Sequence, residues 1–133
     1  MIQLEFLDHV ALRVSDIHRS ADWYASVLGM QVVQPDEWKP FPIFLLAGSS
    51  GIALFPARTE TPQPLPQGDW IKGDHYAFRV QLPMLETAKQ HFNKLGISYQ
   101  EQDHTYFRSI YFKDPDGHQL ELTAATRPLP DAA

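Results

Sequence analysis

Residues 8–14 read Asp-His-Val-Ala-Leu-Arg-Val and residues 74–80 read Asp-His-Tyr-Ala-Phe-Arg-Val, identical at five of seven positions with a constant offset of 66. A repeat that starts and stops where a strand does implies two copies of one supersecondary unit. At that offset Gly51 falls on Gly117, Leu54 on Leu120 and Phe55 on Glu121. If a two-fold axis relates the copies, a residue that repeats is brought towards its own copy. The repeat therefore singles out His9, His75 and Glu121.

The 133 residues suit one domain made of two half-domains. The expected division is a first module over 4–56, a Pro-rich linker over 57–73, a second module over 74–126 and a loose tail over 127–133. Alternation marks residues 6–14 as a strand, with Val10, Leu12 and Val14 on one face and His9, Ala11 and Arg13 on the other. Ser15 or Asp16 caps a helix whose stripe is Ile17, Ala21, Tyr24 and Leu28, and Gly29 ends it. Short strands are expected at 30–34, 43–47 and 52–55, the last two around Gly48-Ser-Ser-Gly51. In the second copy Pro83 opens a helix with the stripe Leu85, Ala88, Phe92 and Leu95, ended by Gly96. Strands are then expected at 97–100, 106–112 and 118–123, with a loop at 101–105. Each copy thus reads β-α-β-β-β. Paired, the copies give an α+β fold: a curved mixed sheet around a cavity, with helices outside.

The turn Asp114-Pro-Asp-Gly117 fixes the register of the last strand. Gln119, Glu121 and Thr123 then share one face and Leu120 and Leu122 the other, so Glu121 lies opposite the core, as His9 and His75 do. Two imidazoles and a carboxylate form a set for one divalent ion: iron, manganese, zinc, cobalt or nickel. Phe55, at the fourth corner of the repeat, cannot ligate. The expected site has three protein ligands and open positions, the signature of a catalytic rather than a structural ion. Arg13 and Arg79 share the inward parity and suit either an anionic substrate or a contact that closes a dimer.

Composition narrows the partners. A net charge of −5 and no clustered Lys or Arg argue against nucleic acid and anionic membranes. The absence of cysteine removes disulfides and thiol nucleophiles. The N-terminus has neither a basic start nor a long apolar run, and no stretch reaches the roughly 18 apolar residues of a membrane span, so a cytoplasmic protein is expected.

The segments Leu7-Asp-His-Val-Ala-Leu12, Ala21-Asp-Trp-Tyr-Ala-Ser-Val-Leu-Gly-Met30 and Ile110-Tyr-Phe-Lys-Asp-Pro-Asp-Gly-His-Gln-Leu-Glu-Leu122 resemble the vicinal oxygen chelate superfamily of glyoxalases, bleomycin-resistance proteins, fosfomycin-resistance transferases and extradiol dioxygenases. The resemblance implies the glyoxalase/bleomycin resistance/dihydroxybiphenyl dioxygenase fold and a homodimer. It implies one divalent metal on the residues matching His9, His75 and Glu121, and a small substrate with vicinal oxygens. Phe55 stands where glyoxalases usually carry a fourth ligand. Ala11 and Glu101 stand where one class of fosfomycin transferases carries threonine and lysine, while Ser109 and Tyr111 match its substrate-facing serine and tyrosine. A three-ligand site is most like an extradiol dioxygenase, with Asp103-His104-Thr-Tyr106 resembling a stretch in small members. That gives His104 and Tyr111 as catalytic residues, and Arg13, Phe55, Arg79, Ser109 and Tyr111 as substrate-binding ones. The alternatives are a glyoxalase-like lyase or isomerase, a fosfomycin-type thiol transferase, and a metal-free ligand-sequestering protein of the bleomycin-resistance type.

Overall fold

The computed structural model describes residues 1–131, so Ala132 and Ala133 of the expected tail lie outside the described residues. The chain divides into two compact units, Met1–Pro64 and Leu65–Ala133.

The first unit runs β1 (His9–Val14), α1 (Ile17–Leu28), β2 (Gln31–Val33), a 3-10 turn at Asp36–Trp38, β3 (Ile43–Ala47) and β4 (Ser50–Pro56). Its sheet has the order β1-β4-β3-β2, with β1 parallel to β4 and the other pairs antiparallel. The core is a product of the period-2 alternation. Leu12 stands beside Leu54 and Leu54 beside Ile43, while Val10 stands beside Ile52 and Ile52 beside Leu45. These rows meet Ile17, Ala21 and Tyr24, which recur at helical spacing on α1. Each fully buried Leu or Ile contributes about 1.5–3 kcal/mol relative to exposure. The helix begins where the Asp16 carboxylate accepts the backbone N–H groups of His18 and Arg19, both at 3.0 Å. It ends at Gly29, whose φ of 67° is the left-handed cap conformation.

The second unit repeats the plan: β5 (Tyr76–Arg79), α2 (Met84–Leu95), β6 (Gln100–Asp103), β7 (Phe107–Lys113) and β8 (Gln119–Ala125), in the order β5-β8-β7-β6. Tyr76, Leu120 and Phe112 form one row and Phe78, Leu122 and Ile110 the next. Leu85, Ala88 and Phe92 are the buried residues of α2.

Three expectations are corrected. Leu95, placed on the buried stripe of α2, is 50 % exposed, because it lies in the last turn before the Gly96 cap. The strand expected at 97–100 starts only at Gln100 and runs to Asp103, through most of the expected loop at 101–105. It is an edge strand with four exposed polar residues, so no alternation betrays it. The β3–β4 turn is also tighter than expected, with Ala47 already paired to Ser50 and Gly51 within the strand. A Cβ at Gly51 would collide with the Leu45 carbonyl oxygen and sit 3.1 Å from the Phe44 ring, so this position takes only glycine.

Candidate functional site

Strand parity puts the chemistry-bearing residues of the second unit on one sheet face. Ala77, Glu121 and Tyr111 form one row across β5, β8 and β7, and Arg79, Thr123 and Ser109 form the next. The turn before β8 sets this register. The Asp114 carboxylate accepts the N–H groups of Asp116 and His118, both at 2.9 Å, and Gly117 takes a φ of 91°.

His75 Nδ1 lies 2.7 Å from an Asp74 carboxylate oxygen, and its Nε2 lies 2.9 Å from Glu121 Oε1. A carboxylate only accepts, so Nδ1 carries the proton that it donates to Asp74. That hydrogen bond holds the Asp74 carboxyl below the usual carboxylate range. In the neutral ring the remaining Nε2 is a lone pair, and it faces another lone pair on a carboxylate that is 8 % exposed. Two acceptors at hydrogen-bond distance are stable only with a cation between or beside them, a proton or a metal ion. The donor chemistry therefore fits a divalent metal, with Asp74 as the outer partner that orients the imidazole.

Behind this pair stands Tyr111. Its hydroxyl hydrogen-bonds Glu121 and lies 2.8 Å from His104 Nε2, and its ring meets His75 edge-on with centroids 5.4 Å apart. A hydroxyl has one proton. Because the carboxylate must accept it, His104 Nε2–H donates to the tyrosine oxygen. Burial, then the Glu121 charge, pushes the Tyr111 phenol above its ordinary value near 10, so it remains a donor at neutral pH. The result is a directed line, His104 to Tyr111 to Glu121.

The remaining expected residues take these positions. Arg79 is exposed with its guanidinium 4.9 Å from the Phe107 ring centre. Ser109 is 2 % exposed and donates its hydroxyl proton to Thr123 Oγ1 at 2.9 Å. In the first unit His9 Nδ1 lies 2.8 Å from Asp8 Oδ2, matching the His75–Asp74 pair. Arg13 donates to the Pro56 carbonyl at 2.9 Å and lies over the Phe55 ring, 5.1 Å from its centre. Among the described residues no three His, Cys, Asp or Glu side chains gather as a cation-binding group; His75 and Glu121 form a pair.

Phe55 is not the counterpart of Glu121. Ala11 is in register with Ala53, as Ala77 is with Glu121, while Arg13 is in register with Phe55, as Arg79 is with Thr123. The offset of 66 that holds at β1 has grown by two at β8, so the fourth corner is Ala53. It has no ligating atom either. Asp8, Asp74 and Thr123 hydrogen-bond the candidate residues His9, His75 and Ser109 and are missed by sequence reasoning, although the repeated Asp-His pair carries a signal for the first two.

A cavity of about 480 Å³ in the second unit lies elsewhere, between the start of α2 and the β6–β7 edge. It is lined by Leu82, Lys89, Glu101 and Arg108 among others, and neither His75 nor Glu121 borders it.

This geometry on a β-α-β-β-β duplication defines the class. The chain belongs to the Glyoxalase/Bleomycin resistance protein/Dioxygenase superfamily, whose family model matches residues 6–122. It is 30 % identical over 119 residues to the glutathione transferase FosA of Serratia marcescens, covering 90 % of this chain and 80 % of that protein. It is 28 % identical over 127 residues to the metallothiol transferase FosB of Staphylococcus saprophyticus, covering 92 % and 79 %. A glyoxalase/dioxygenase structure from Nostoc punctiforme shares the fold with a TM-score of 0.77 at 21 % identity, covering 92 % of each chain. No helix among the described residues is long and apolar enough to cross a membrane.

Proposed function

We propose that the protein is a divalent-metal-dependent enzyme acting on a small, oxygen-rich substrate, with His75, Glu121 and His9 as ligands of one iron, manganese, zinc, nickel or cobalt ion. The observation that carries this reading is the pair of acceptors His75 Nε2 and Glu121 Oε1, 2.9 Å apart, with the tautomer fixed by Asp74. When bound, the ion supplies Lewis acidity to a chelating pair of substrate oxygens. The chain's own residues do the rest. Tyr111 holds the Glu121 carboxylate by its hydroxyl, and His104 holds Tyr111 from the solvent side. Arg79 offers an exposed cation on the same sheet face to an anionic group, and Ser109 fixes the Thr123 hydroxyl beside it. Arg13 and Phe55 play the corresponding part on the first sheet.

The first reaction to test is thiol transfer, because FosA and FosB are named transferases of this type. Extradiol dioxygenation is the second reading. It is favoured by the His104–Tyr111 hydrogen bond, which sets an acid–base group behind the ligand pair. A homodimer is part of the proposal, supported by the exposed apolar side chains of Met1, Ile2, Leu4, Phe6 and Leu7.

Elemental analysis of protein purified without chelator tests the reading. About one transition-metal ion per chain is expected, and it is lost in His75→Ala and in Glu121→Gln. Metal-loaded protein is then offered fosfomycin with glutathione, catechol with dioxygen, or methylglyoxal with glutathione. Adduct, ring-cleaved product or isomerised thioester each names a branch. Absence of metal, with no uptake of any of the five ions, would instead leave a ligand-sequestering protein.

A further inference from the structure

The cavity of about 480 Å³ beside α2 has a chemistry of its own. Arg108 and Ile110 line it from β7, on the sheet face opposite the one that Tyr111 shares with Glu121. It therefore opens on the helix side of the second sheet. Leu82, Leu85 and Ile110 supply an apolar wall, and Leu82 is 40 % exposed. Five charged side chains surround that wall: Glu86 and Lys89 on α2, Glu101 and Asp103 on β6, and Arg108 on β7. Three of them satisfy one another, since Glu86 and Glu101 both hold the Lys89 ammonium. The other two do not. Asp103 and Arg108 stand opposite each other in the β6–β7 register, yet among the described residues no ion pair joins them. Asp103 Oδ1 accepts the Thr105 N–H at 2.8 Å, which leaves its second oxygen open.

A plain anion drawn to Arg108 would be repelled by Asp103, and a plain cation drawn to Asp103 would be repelled by Arg108. A molecule that carries both charges side by side suits the pair. Its carboxylate meets the forked guanidinium donors, and its ammonium meets the open Asp103 oxygen. An aliphatic side chain on the same molecule is then buried against Leu82, Leu85 and Ile110. The volume of the cavity falls in the range of small-molecule sites. We propose that this cavity binds a free α-amino acid with an aliphatic side chain. The site is separate from the His75–Glu121 pair and does not rest on the metal-dependent reading. Its occupancy is readable from the turn beside it, because the Thr105 N–H is bonded to Asp103.

Amide chemical-shift titration of the full chain with L-leucine tests the site. Saturable shifts are expected at Leu82, Leu85, Asp103, Thr105 and Arg108. Three analogues each lack one part of the ligand: leucinamide the carboxylate, isocaproate the ammonium and glycine the side chain. Each is expected to bind at least about tenfold more weakly than L-leucine, the loss that one charge-assisted contact or one buried side chain entails. Arg108→Gln and Asp103→Asn each remove one charge, and Asp103→Asn keeps an oxygen to accept the Thr105 N–H. Each variant is expected to weaken L-leucine binding by about tenfold as well, with the rest of its amide spectrum unchanged. Absence of saturable shifts, shifts centred outside the cavity, or an analogue that binds as well as L-leucine would overturn the proposal. So would a variant that keeps the full affinity. Should a variant fail to fold, the analogue series on the wild type decides by the same criteria.

Discussion

At the scale of single residues, the site depends on which nitrogen of each imidazole keeps its proton. Asp74 decides this for His75, and Asp8 does so for His9. Removing such an outer partner costs about 10–100-fold in metal affinity in comparable sites. Asp74→Ala is therefore expected to weaken metal binding by that factor in competition with a chromogenic chelator. Asp74→Asn, which keeps an accepting oxygen, should lose far less. A second residue carries a stability prediction. Ser20 is fully buried on α1 and its hydroxyl has no hydrogen-bond partner among the described residues. A buried, unsatisfied hydroxyl costs stability and alanine is the better helix former, so Ser20→Ala should stabilise by about 1 kcal/mol in urea denaturation. How much of this is legible in the sequence depends on the kind of signal. The faces of His9, His75 and Glu121 are readable because alternation alone sets them. The His104–Tyr111 contact is not, since the turn that carries His104 has to be folded back along β7 before the distance between the two means anything. The orphan hydroxyl of Ser20 depends on what α1 packs against, which no local pattern encodes.

At the scale of elements, a single cation ties the least legible strand to its neighbour. Lys89 on α2 pairs with Glu86 one turn before it and with Glu101 on β6. These contacts, led by Glu101, raise the Lys89 ammonium above its ordinary value. A cation whose folded value is raised stabilises the fold fully below its unfolded value near 10.4, and loses that contribution as pH rises through the higher folded value. Urea midpoints measured between pH 9 and pH 12 should therefore fall less steeply in Lys89→Met than in the wild type. Amide exchange at Gln100–Asp103 should be faster in that variant at neutral pH. The helix caps and the apolar strands are readable because caps and alternation are local. The strand β6 is hidden because a polar edge strand is recognised only by its partner, here Arg108–Tyr111 on β7.

At the scale of the whole molecule, the duplication is legible from seven residues, but its exact numbering is not. The match at β1 implies one offset for the entire copy. The slip builds up in two single steps: one before β7, where Phe44 corresponds to Tyr111, and one in the β7–β8 turn, where Leu46 pairs with Gly51 but its equivalent Lys113 pairs with Gln119. Insertions of this size leave strand parity intact only when they sum to an even number, which is why the faces agree with expectation while Phe55 does not stand at the fourth corner. The exposed apolar N-terminal side chains belong to this scale as well. Light scattering after size exclusion should give about twice the 15.2 kDa chain mass, and trimming residues 1–7 should shift that mass towards the single chain.

The slipped register has a practical corollary for anyone retracing how such a duplicated chain diverged. Grafting a carboxylate at position 55 would set it against the Arg13 guanidinium, neutralising a charge and gaining no geometry. Grafting it at position 53, with tyrosine at 44, would give the first sheet the same histidine–glutamate–tyrosine trio that the second carries. Two substitutions, counted along the ladder instead of along the chain, would place that trio on both sheets.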